Sequence, residues 1–118
     1  MGAFLRFLRS FVHAARGIAV GFRTQRNLRV HAVAIGVVVA LGWWHRVERW
    51  EWCVLLLACG LVVAAELGNT AIEWLADRVT REREPAIRDV KDAAAGAVLA
   101  ASLAALVVGG MVFVPRWL

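Results

Sequence analysis

Glu66, Asn69, Thr70, Glu73 and Asp77 follow one another at offsets of three, four, seven and eleven residues, so on a helix of 3.6 residues per turn they share one face. They continue an apolar run, Trp52 to Ala65, that carries no charge. Carboxylates beside such a run are costly in lipid and usually address a partner, a cavity or a metal ion. Glu66 and Glu73 lie about 10.5 Å apart along the axis, too far for one ion to take both directly. That spacing suits a division of labour in which the outer Glu73 holds Mg²⁺ and the deeper Glu66 accepts a proton, because a carboxylate in low dielectric is the better general base. Lys91 and Asp92 open a later apolar run, and a lysine there can neutralise phosphate as a point cation. No P-loop or Rossmann glycine pattern occurs, so a nucleotide site has to be built another way.

Plainer readings stand beside these. Glu66 and Glu73 can pair with Arg or Lys between helices. Asp77 can be a helix-end surface charge, and Lys91 and Asp92 can begin a helix and anchor it to headgroups. His13 and His31 read as interfacial residues with no third ligand for a metal.

The elements that must position this face come from composition and pattern. The 118 residues suffice for one domain, and 61 % of them are hydrophobic, well above the globular norm of roughly 45–50 %. Membrane insertion is therefore expected before a soluble core. The net charge of +5 does not point to nucleic acid, because the arginines flank apolar runs and read as topogenic, headgroup-facing charges. Cys53 and Cys59 sit six apart within one helix, cannot bridge there, and read as small hydrophobes.

Phe4, Leu5, Leu8, Phe11 and Val12 recur at helical spacing while Arg6, Arg9, His13 and Arg16 break the run, the mark of a basic amphipathic helix lying in the headgroup region. Arginine interrupts this segment too often for the apolar core of a cleavable signal peptide. Gly17 and Gly21 predict a bend before a second short helical piece. Trp43 and Trp44 close a first span, Trp50 and Trp52 begin the second, and Trp74 sits at its other boundary. The stretch 77–92 reads as a charged loop in which Pro85 bars an uninterrupted helix, though it could open the next one. The small residues Ala93 to Ala97 allow a neighbouring backbone close.

The expected fold is an all-α membrane protein of one domain, 1–118. An interfacial amphipathic helix covers 1–27 and membrane helices cover about 28–44, 50–76 and 93–115. Six arginines precede Val30, five Lys or Arg lie in 77–92, and two lie in 45–51. The positive-inside rule then places the N-terminus and 77–92 in the cytoplasm and the C-terminus outside.

The run Glu66-Leu-Gly-Asn69-Thr-Ala-Ile-Glu73, with Asp77 and then Lys91-Asp92-Ala-Ala-Ala-Gly96, resembles the signature of the prokaryotic diacylglycerol kinase / undecaprenol kinase family, and the likeness covers nearly the whole chain. These are small lipid kinases of the bacterial inner membrane. The resemblance implies a homotrimer with sites shared between subunits, ATP as co-substrate, Mg²⁺ as cofactor and a membrane lipid alcohol as acceptor. It implies Glu66 as general base and Asn69 as the group that orients the reactants. It also implies Glu73 as metal ligand, and Arg6, Glu73, Asp77, Lys91 and Asp92 at the nucleotide. The segment Thr24-Gln25-Arg26-Asn27-Leu28-Arg29-Val30-His31 is similar to a family stretch whose glutamate supplies a second metal-site carboxylate. Gln25 stands in that place here, and its amide can coordinate without adding charge. The Arg26-Asn27-Leu28-Arg29-Val30-His31 run and the stretch Lys91 to Val98 look closer to the undecaprenol branch than to the diacylglycerol branch. A rival of a different class is a non-enzymatic small membrane subunit whose carboxylates serve packing or proton movement.

Overall fold

The computed structural model describes residues 2–118, and among them it is built of helices joined by short connections. Helix α1 spans Gly2–Thr24, α2 Arg26–Trp44, α3 Arg49–Val79 and α4 Pro85–Trp117. The last three are long and apolar enough to cross a membrane. Large apolar side chains point outward along all of them, Leu57 and Met111 at 74 % exposure among them. Water would punish that surface, whereas acyl chains or a neighbouring subunit accept it.

α1 is one continuous helix through Gly17 and Gly21, so the expected bend is absent. The glycine at 21 serves close approach instead. A Cβ there would stand 2.8 Å from Leu67 Cδ2 and 2.9 Å from Leu28 Cδ1. This is where α1 leans on α2 and α3, with Leu28 wholly buried. The chain breaks only at Gln25, whose extended backbone caps α2.

The α2–α3 turn is a Schellman motif. Val47 N–H donates to Gly42 O at 3.1 Å and Arg46 N–H to Trp43 O at 3.3 Å. Arg46 occupies the left-handed position at φ 52°, usually glycine's. Glu48 then caps α3 reciprocally with Glu51.

The charged stretch expected as a loop is mostly helix. α3 continues to Val79 and α4 starts at Pro85, leaving only 80–84 between them. Proline at the first helical position is pre-set for helix and lacks an N–H that would go unpaired there. α4 packs chiefly against α3. Ala94 and Ala101, two helical turns apart, are buried and bring the backbones close.

Candidate active site

α3 carries the polar face, and the structure puts its members in unlike surroundings. Glu66 is 2 % exposed, Asn69 9 % and Thr70 3 %. Glu73 is half-buried one turn further on, and Asp77 is exposed near the end of the helix. The 3.6-residue period that groups them also turns Glu66 toward α2 and Thr70 toward α1.

Within this face Asn69 Nδ2 donates to Glu73 Oε1 at 3.3 Å. The amide oxygen of Asn69 and the hydroxyl of Thr70 are buried without a partner. Such orphans are uncommon, because a buried polar atom left unbonded costs roughly 1–3 kcal/mol. Thr70 lines a cavity of about 280 Å³ between α1 and α3, with Ala14, Gly17, Ile18, Gly21 and Trp74 among its walls. That cavity is almost wholly apolar, and its one hydroxyl belongs to the polar face.

Among the described residues Glu66 makes no hydrogen bond, and the basic side chain that comes within 4 Å of it is His31, whose Nε2 lies 3.5 Å from Oε2. Nothing in the spacing of the sequence could have paired residues 31 and 66. The contact depends on how α2 packs on α3.

At the end of α3 Lys91 Nζ donates to Asp77 Oδ1 at 2.6 Å, joining α4 to α3. Lys91 and Asp92 line a second cavity, of about 510 Å³, with Arg81, Arg83 and Arg88 around the 80–84 connection. Arg side chains in such a recess suit phosphate, which they bind through paired N–H groups. Thr80 helps shape the connection, its hydroxyl accepting from Glu82 N–H at 3.0 Å.

The structure thus joins Asn69 to Glu73, and Asp77 to Lys91 beside Asp92. Two further expected residues have no such partners. Arg6 is exposed on α1 and makes no ion pair or side-chain hydrogen bond among the described residues. Gln25 is half-buried at the α1–α2 junction, and its side chain makes no capping bond.

Among the described residues no three His, Cys, Asp or Glu side chains converge. Magnesium needs no such cage, because one or two carboxylates commonly hold it together with substrate phosphates. Glu73, whose one side-chain partner is the Asn69 amide, fits that part.

Comparison with known proteins bears on this geometry. The model of the family described as prokaryotic diacylglycerol kinase matches residues 12–113. The undecaprenol kinase of Bacillus subtilis is 40 % identical over 111 residues, covering 94 % of this chain and 90 % of that protein. A diacylglycerol kinase of Synechocystis is 40 % identical over 108 residues, 90 % of this chain but 61 % of the longer relative. That of Escherichia coli K12 is 26 % identical over 104 residues, 88 % and 85 % of the two chains.

Proposed function

The chain belongs to the prokaryotic diacylglycerol kinase family and is a multi-pass membrane lipid kinase; from that premise we propose that it transfers the γ-phosphate of MgATP to the hydroxyl of undecaprenol. The observation that carries the reading is Glu66, buried without a hydrogen bond one turn from two polar atoms that have no partner. A lipid alcohol entering between α1 and α3 would lay its chain along the apolar cavity and bring its hydroxyl to this face.

In this reading Glu66 takes the hydroxyl proton as the oxygen attacks the γ-phosphorus and the bond to the departing ADP oxygen breaks. Asn69, tied to Glu73, orients the reacting groups. Lys91 neutralises the nucleotide's phosphates, with Arg6 of α1 as a second cation on them, and Asp77 and Asp92 complete the nucleotide site. Glu73 would hold the magnesium ion, with Gln25 as a neutral second ligand. The ion supplies charge neutralisation on the phosphates. Positioning and charge compensation supply most of the acceleration in such transfers.

The excess of Lys and Arg before Val30 and in residues 77–92, against two in 45–51, supports a cytoplasmic N-terminus and an outer C-terminus in the bacterial inner membrane. The exposed apolar faces suit a homotrimer, the assembly inferred from family likeness.

Labelled ATP, presented with undecaprenol and diacylglycerol side by side in liposomes, tests the reading. Label is expected on undecaprenol and reduced roughly 10²–10⁴-fold with Glu66→Gln. Preference for diacylglycerol reassigns the acceptor, and label on neither alcohol ends the proposal.

A further inference from the structure

Glu66 is a carboxylate at 3 % side-chain exposure inside a helical bundle, and among the described residues no lysine or arginine pairs with it. An ionised acid so placed is costly unless something compensates it. The one group within reach is the imidazole of His31, itself 24 % exposed. His31 stands one turn beyond Leu28, and Glu66 directly precedes Leu67. Leu28 and Leu67 close on the same spot, Gly21 of α1. An apolar contact among three helices therefore fixes α2 against α3 immediately beside the polar pair.

We propose that His31 is a positioning residue for Glu66, an inference that rests on Glu66 being the proton acceptor. With its proton on Nε2, the neutral ring donates toward Oε2 and selects the carboxylate orientation that meets the lipid hydroxyl. The 3.5 Å separation is longer than a formed hydrogen bond, as is common before substrate arrives, and it closes in the loaded enzyme. The arrangement leaves Glu66 Oε1 for the hydroxyl proton and gives the buried acid a donor without a full ion pair.

His31→Leu removes the donor, and His31→Gln returns an N–H at similar reach. We expect His31→Leu to lower kcat about 100-fold, the cost of misplacing a reacting group by roughly 1 Å, with KM for MgATP unchanged. His31→Gln should recover most of that loss. Full kcat in His31→Leu, or equal losses in the two variants, overturns the proposal. The chain has only three histidines, which makes imidazole ¹⁵N resonances assignable in detergent micelles. The His31 Nε2 signal should move on Glu66→Gln, and a signal indifferent to that change also overturns the pairing. Failure of the wild type to phosphorylate any lipid sinks the kinase reading separately, and the ¹⁵N comparison then still decides whether the two side chains are coupled.

Discussion

Helix α3 buries two glutamates about 22 Å apart along its axis, and they are treated in opposite ways. Glu51, 4 % exposed, accepts from Arg116 Nη2 at 2.6 Å, from Arg116 Nη1 at 2.7 Å and from Glu48 N–H at 2.9 Å. Around it Trp117 Nε1 donates to His45 Nε2, Trp117 stacks on Phe113, and Val47, Leu55, Val112 and Phe113 form an apolar cluster. Glu66 has, among the described residues, the imidazole of His31 at 3.5 Å and no hydrogen bond. The first acid is consumed in joining α3 to the end of α4. The second is kept in place by packing and left with free acceptor capacity, which is what the proposed proton acceptor would need.

That contrast can be broken by experiment. The largest effect should come from Glu66→Gln, which keeps shape and removes the proposed base. Phosphoryl transfer should fall by roughly 10²–10⁴-fold with no loss of thermal stability in detergent. A variant near native rate would make Glu66 another structural acid. Glu51→Gln should do the reverse, lowering Tm by several degrees because the Arg116 guanidinium loses its charged acceptor, while kcat of the folded fraction holds. Loss of kcat with no shift in melting would invert the assignment of the two ends. Thr70→Val should show the smallest and most telling change. Removing a buried hydroxyl without a partner should raise stability by about 1 kcal/mol while weakening turnover. If stability falls instead, the hydroxyl has a partner in the folded protein and is not held for a ligand.

Much of this was legible in the residues. The apolar runs with their tryptophan borders foretell three long helices, and the helical period alone gathers Glu66, Asn69, Thr70 and Glu73 on one face. What stayed hidden depends on tertiary packing. The Glu51–Arg116 clamp joins residues 65 apart, and the His31–Glu66 contact likewise joins separate helices. Neither carries a local signal. Charge density disguised the start of α4, because Arg88, Lys91 and Asp92 suggest a loop although Pro85 can begin a helix. The two glycines of α1 misled in the other direction, since Gly21 is needed for steric room and not for a turn.

The length of α4 has a consequence of its own. Its 33 residues extend about 50 Å, against a hydrocarbon layer of roughly 30 Å, so the helix stands proud of the membrane by several turns. Lys91 and Asp92 ride on a rigid mast rather than on a pliable strap. Because Lys91 is tied to Asp77 of α3 at 2.6 Å, a bilayer thick or thin enough to tilt α4 would have to carry the end of α3 along with it.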